Sequence, residues 1–549
     1  MYRMLKEMPA ELQTELVPSL CRFATLVPDG VLSRWCPFAG SGIGTHCCEA
    51  VCVVLKEVFN IDIGIKTKVY CECDPKKQRH LDQQFAPGFM VSHSSELREV
   101  STTNIEGGRK RKDILPDCFA VDGGFPCTSR SSLSCHSQAN LGCVQQSREA
   151  TGDGFRDVEE VAAVHWPELL LLENITKLYQ GPPGQTLRSH IFVLFLRRLE
   201  ITRLCFWHQT LRSHMFVLFL RRLDRTQQNI TGQISDSEYM LQRLRALGFW
   251  AHTEKLAGGD HGGPDRIRAY WIALRHLVGD DKKIQHFFHR LIVGFRISPK
   301  FPIEEFITVS DEERASEARA LKLPLHAKFG PRPTVRQNSV LKWKLQHKLF
   351  SEANGIQWPL KTVLRLGFSA AGLFPRELEV AILLDTLWPP QSAFEFVDVN
   401  PVLPRIVEHC VSDMSTMQIL EGKTPWNPEP STLVGSTKML CRIKVDDDRG
   451  SVVRILEAFE YFRLQGWSDE LWCTERMPPA EELCVEDLEL YPNMAGNAYS
   501  AFHFIPMLLA GMATYGRFAV LEEKEPMTPM TPVATTDEED ESVELESSC

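Results

Sequence analysis

Short apolar runs alternate with helical stretches along the first half of this chain. Residues 35–59 read as a strand, a glycine-rich turn and a helix. Residues 68–73 form a second apolar run ending in acids, and 118–121 a third that enters Gly123-Gly124. Residues 169–172 are four leucines, short enough for a strand buried on both faces, and they stop at Glu173-Asn174. Another strand is expected at 269–274, and helical periodicity lies at 158–164 and 238–247. This alternation predicts an α/β fold, a Rossmann-like parallel sheet with helices on both faces. Ligands in such sheets sit beyond the carboxyl ends of the strands, and each short motif of the chain falls there.

The rhythm changes after residue 275. Residues 276–453 carry many prolines and no regular period, and are expected to form a smaller, irregular domain. The α/β pattern returns over 454–520. The chain thus divides into a lead-in (1–32), a core (33–275), an inserted domain (276–453), the rest of the core (454–520) and an acidic tail (521–549) expected to be disordered. Residues 185–199 recur almost unchanged as 209–223, differing only at Ile191 and Met215. Two near-identical copies point to a recent duplication rather than a solenoid.

Charge refines this picture. The net charge is −10, but residues 521–549 hold ten acids and one lysine, so the other 520 residues sum to −1. Between Arg319 and Lys348 there are eight cations and no acid, a plausible phosphate-contacting surface. No apolar run reaches ~18 residues, so no membrane span is expected. The 17 cysteines include no CxxC pair, so a zinc site is not expected. They read as reduced thiols of an intracellular protein.

Four places carry candidate chemistry. The turn Phe38-Ala39-Gly40-Ser41-Gly42-Ile43-Gly44 lets backbone approach a ligand, and Glu72 ends the next strand, where an acid accepts ribose hydroxyls. This suits an adenosine cofactor without a pyrophosphate. Cys127, after Gly123-Gly124-Phe125-Pro126, is a candidate nucleophile. Glu173 ends a buried strand, where an unpaired carboxylate is costly. Arg266 and Arg268 alternate at the entrance of the last strand, placing two cations on one face.

Together these motifs resemble the cytosine-C5 methyltransferase family over residues 34–275 and 454–512. The glycine turn resembles the family's first motif, 70–75 its second, Gly123 to Cys127 its nucleophile motif and 169–175 its Glu-Asn motif. Residues 264–268 resemble its arginine motif, 464–467 its Leu-Gln-Gly motif and 494–498 its last. The resemblance implies a methyltransferase core with an inserted target-recognition domain at 276–453. It implies that S-adenosylmethionine is held by Phe38, Gly40, Gly42, Glu72 and Asn497, with Glu96 a candidate for the adenine. Cys127 would be the nucleophile and Glu173 the acid holding the base, with Arg266 and Arg268 in support. The substrate would be cytosine in DNA, flipped from the duplex, and the location nuclear in a eukaryote, otherwise cytoplasmic. Protein partners are not legible. Pro264 stands where the arginine motif has glutamine, and Thr128 follows Cys127 where glutamine is usual. Two alternatives use the same residues: a tRNA cytosine-5 methyltransferase, and a degenerate member that only binds nucleic acid.

Overall fold

The computed structural model describes residues 1–85, 87–106, 109–126, 143–145, 149–180, 234–264, 266–307, 337–359, 375–398, 426–430, 433, 439–444, 451–456, 458–466, 490 and 493–520. Cys127, the duplicated segment and the acidic tail lie outside them. So does the part of the basic run from Arg319 to Arg336; Lys344 and Lys348 are exposed on the helix Gln337–Ala353.

A mixed α/β sheet of seven strands forms the centre. The strands, in chain order, are β1 (Val31–Cys36), β2 (Gly64–Cys71), β3 (Met90–Val91), β6 (Ala120–Gly124), β7 (Leu169–Asn174), β8 (Trp250–Ala257) and β9 (Ile267–Leu274). Between β3 and β6, β4 (Ser101–Glu106) and β5 (Arg109–Ile114) make a separate antiparallel pair. The order across the sheet is β3-β2-β1-β6-β7-β9-β8. The five strands from β3 to β7 run parallel, whereas β9 is antiparallel to both β7 and β8. The expected Rossmann-like sheet is thus present, mostly parallel and closed on one side by the antiparallel strands β9 and β8. The strand order reverses between β1 and β6, and the loops leaving those two strands flank the crevice that such a reversal opens.

Burial on both faces explains the leucine run. Leu169 and Leu171 enter one core while Leu170 and Leu172 enter the other. Tyr270, Ile272 and Leu274 of β9 join the first core, and Ala269, Trp271 and Ala273 the second. Helices Glu149–His165 and Asp236–Ala246 cover the second face. Four helices, Ala10–Leu26, Ile43–Phe59, Asp281–Gly294 and Ala501–Phe518, cover the first.

Two of these were not legible as core. The opening residues, read from sequence as a lead-in, form helices Tyr2–Glu7 and Ala10–Leu26, and Leu5, Leu16 and Phe23 are fully buried. Helix Asp281–Gly294, assigned by pattern to the inserted domain, buries Ile284, Phe288 and Leu291 in the same core. Beyond it, β10 (Phe394–Asp398), β11 (Met439–Lys444) and β12 (Ser451–Ile455) make a three-stranded antiparallel sheet. That sheet shares a small apolar cluster with residues of helices Gln337–Ala353 and Pro375–Leu387. Among the described residues no helix is long and apolar enough to cross a membrane.

Candidate active site

The site is built where β1, β2, β6, β7 and β9 meet the C-terminal segment. After β1 the chain turns through Gly40 (φ +54°) and Gly42 (φ +76°) into helix Ile43–Phe59. Both conformations are left-handed, and at Gly42 a Cβ would also overlap the Phe85 ring. Glu72 follows β2 and is buried beneath the turn. Its Oε2 accepts the Gly40 N–H at 3.0 Å, and its Oε1 accepts the Asp74 N–H at 3.0 Å. Sequence reading joined the glycine turn to Glu72 by spacing; the structure joins them by a hydrogen bond. Phe38 borders Gly123, so the first turn also touches the end of β6. Glu96, in the short turn Ser94–Arg98 after β3, accepts from the Thr102 hydroxyl at 3.1 Å and lies within electrostatic reach of Cys71.

The second half of the site is the end of β7. Gly124 pairs with Glu173 across β6–β7, and a Cβ at Gly124 would press on the Glu173 carboxylate. Glu173 is buried, and its Oε1 lies 2.9 Å from Arg268 Nε. Burial raises its proton affinity and outweighs the opposing effect of Arg268 and Arg266, so the carboxyl stands above the usual range. The neighbouring Asn174 donates from Nδ2 to the Phe125 carbonyl at 2.9 Å. Asn174 thus ties the end of β7 to the backbone two residues ahead of Cys127.

Arg266 and Arg268 divide their work. Arg268 pairs with Glu173, while Arg266 donates to the carbonyls of Ala498 at 3.0 Å and Gly496 at 3.3 Å. Those two carbonyls flank Asn497, whose own side chain is exposed and donates to Asn493 at 3.1 Å. The structure therefore brings Glu173, Arg266, Arg268 and the 496–499 segment together. It brings Phe38, Gly40, Gly42 and Glu72 together at the neighbouring strand ends.

Three further residues link the two halves. Arg34, in the middle of β1, is almost fully buried and grips both carboxylate oxygens of Asp122 on β6, Nη2 to Oδ2 at 2.7 Å. It also donates to Thr45 at the start of helix Ile43–Phe59 (3.0 Å) and reaches the Tyr499 hydroxyl (3.3 Å). Tyr499 donates to Asp122 Oδ2 at 2.7 Å. Opposition at Asp122 keeps the Arg34 charge in place despite its burial. The Arg34 signal was available: a charge inside the strand VLSRWC must have a buried partner. Its identity was not, because Asp122 and Tyr499 are 88 and 465 residues away.

A donor-rich glycine turn over a buried acid can hold a polar adenosine-type ligand. A buried glutamate with one arginine partner retains carboxyl lone pairs or a proton for an amidine edge, the pattern of a pyrimidine N3 and its exocyclic amine.

No family model and no curated protein matches the chain. Among solved structures the chain is similar to the Dnmt2 methyltransferase of S. pombe at 10% identity, covering 87% of this chain and 97% of that one, TM-score 0.37. A DNMT2 variant of Spodoptera frugiperda aligns at 10% identity over 88% and 98%, TM-score 0.35. The methyltransferase EhMeth of Entamoeba histolytica aligns at 10% over 87% and 97%, TM-score 0.33. These overlaps are too loose to argue from; the α/β class rests on the sheet topology itself.

Proposed function

We propose that the chain is an S-adenosylmethionine-dependent cytosine-C5 methyltransferase acting on DNA. One observation carries the reading. Phe125, just past the end of β6 and two residues before Cys127, is fastened by Asn174 to the end of β7, where Glu173 sits buried against Arg268. On this reading Cys127, which lies outside the described residues, would meet Glu173 at the strand ends that also carry the glycine turn and Glu72.

The cofactor fits the residues present. The turn is open at Gly40, where nothing lies within 4 Å of a Cβ position, and Glu72 retains lone pairs for ribose hydroxyls beyond the two backbone N–H groups that it accepts. Phe38, Gly40, Gly42, Glu72 and Asn497 would hold S-adenosylmethionine, with Glu96 toward the adenine. When bound it supplies the electrophilic methyl group. The protein's own residues perform the rest. The Cys127 thiolate adds to carbon 6 of the flipped cytosine, which makes carbon 5 nucleophilic. Glu173, protonated more readily than an ordinary carboxyl, donates to N3 and accepts from the exocyclic amine, drawing off the charge that thiolate addition creates. Arg268 fixes the carboxyl in place, and Arg266 holds the segment that closes the cofactor side. Once carbon 5 is methylated, its proton leaves and the thiolate departs from carbon 6.

The test is a denaturation-resistant adduct between the full chain and duplex DNA containing 5-fluorocytosine, in the presence of the cofactor. The adduct is expected in the wild type and absent in Cys127→Ala. The same assay on tRNA distinguishes the RNA substrate, and bisulfite sequencing of treated DNA reads turnover directly. Folded protein that gives no adduct and no methylation on either substrate refutes the proposal.

A further inference from the structure

Beside Glu173, Tyr270 and the His503 ring packed against it are buried with no hydrogen-bond partner among the described residues. Tyr270 stands opposite Glu173 in the β7–β9 ladder, so both side chains leave the sheet on the same face. Its hydroxyl is fully enclosed and unpartnered there. His503, near the start of helix Ala501–Phe518, packs edge-on against the Tyr270 ring with centroids 5.8 Å apart. It too is fully enclosed, and neither ring nitrogen is partnered among the described residues. Along the helix its buried neighbours include Phe504, Pro506 and Met507, while Arg266, Arg268 and His261 lie within electrostatic reach of its ring. Buried polar atoms are satisfied in nearly every folded protein, and enclosed water does so where side chains do not.

We propose that Tyr270 and His503 are positioning residues that hold enclosed water behind Glu173 and fix its carboxyl through that hydrogen-bonded chain. This rests on Glu173 as the base-holding acid. Arg266 and Arg268 at the start of β9 and Tyr270 on β9 lie within electrostatic reach of Glu173, Tyr499 meets it beside Gly124, and His503 on the last helix connects to it through the Tyr270 ring that it packs against. His261, after β8, adjoins His503, and Cys47 of helix Ile43–Phe59 adjoins Tyr270. The arginines stay charged throughout the accessible pH range. Burial depresses the proton affinity of both histidines, so they are neutral near pH 7 and act through hydrogen bonding. A polar chain behind a carboxylate stabilises its charged form; removing that chain favours the protonated form.

The experiment follows the carbonyl stretch of the protonated carboxyl by difference infrared spectroscopy during a pH titration of the full chain. The Glu173 band is assigned by its loss in Glu173→Gln. Tyr270→Phe and His503→Leu are each expected to move the Glu173 midpoint upward by about half a unit or more. Leucine is close to imidazole in volume and carries no polar atom, and a thermal melt of His503→Leu checks that the variant folds. Calorimetric binding of S-adenosylhomocysteine is expected to be unchanged in both. A midpoint that stays in place in both variants overturns the proposal. The readout needs no methyl transfer. A shifted midpoint in a chain that methylates neither DNA nor RNA supports this inference while sinking the enzymatic one.

Discussion

Replacing Asp122 by asparagine tests the network that joins the two halves of the site. The change keeps the shape of the side chain but removes the charge that faces Arg34. Arg34 is only 2% exposed and Asp122 3%, so water cannot take over the neutralisation. The amide also turns one acceptor into a donor, which faces either the Arg34 guanidinium or the Tyr499 hydroxyl, groups that now donate to it. Removing one partner of a buried ion pair costs about 3–5 kcal/mol, a large part of the roughly 5–15 kcal/mol that holds a typical domain folded. Urea denaturation, read by the fluorescence of the core, measures the loss. Tyr499→Phe is the companion: it removes a hydrogen bond to the Asp122 carboxylate while the ion pair survives, so its cost is about 1.5–3 kcal/mol. The double replacement Arg34→Met with Asp122→Leu removes both charges and is expected to be far milder than Asp122→Asn alone. If Asp122→Asn costs less than about 1 kcal/mol, or the apolar double variant is as unstable as the single one, the buried pair does not organise this region.

Three further outcomes follow from the geometry. The folded protein raises the proton affinity of Glu173 above its unfolded value, so ionising it opposes folding. Stability from this group is full below the unfolded value near 4.5 and is lost as pH rises through the folded one; Glu173→Gln is therefore expected to be more stable than wild type at pH 8, with the difference vanishing by pH 4 in thermal melts. Gly42→Ala must adopt a left-handed conformation and displace the Phe85 ring, costing about 1–3 kcal/mol, with partial recovery when Phe85 is shortened to leucine. Glu72→Gln leaves one acceptor oxygen for two backbone N–H groups, and a loss of about 1–2 kcal/mol together with weakened S-adenosylhomocysteine binding is expected by denaturation and calorimetry.

What could be read from the chain follows a physical pattern. The apolar strands at 169–172 and 118–121 were visible because both their faces are buried, which leaves a run without interruption. Strand β8, with the sequence WAHTEKLA, was missed because its partly exposed residues break the run. The β4–β5 hairpin was missed because its second strand begins Arg-Lys-Arg-Lys. The helix at Ala10–Leu26 carries an internal proline and a mixed face, and declares itself only by packing against Ala501–Phe518. Within the site, Glu72 and Glu173 were legible from position alone, since each acid directly follows or ends an apolar strand. Arg34, Asp122 and Tyr499 were not, because their meaning lies in a contact between residues hundreds of positions apart. The separate tasks of Arg266 and Arg268 were not legible, because Arg266 is partnered by the carbonyls of Gly496 and Ala498, more than two hundred residues away.

Tyr499 closes a ring that begins at Arg34, and this sets an order on vectorial synthesis. A nascent chain emerging from the ribosome can lay down every strand of the central sheet by residue 274. Its guanidinium–carboxylate pair then waits for more than two hundred further residues before the final hydroxyl arrives. Until helix Ala501–Phe518 is made, the growing polypeptide carries a half-sealed crevice and an apolar sheet face that its three earlier helices cover only in part. Messages truncated upstream of codon 500 should accordingly yield products bound for chaperones or degradation rather than soluble fragments.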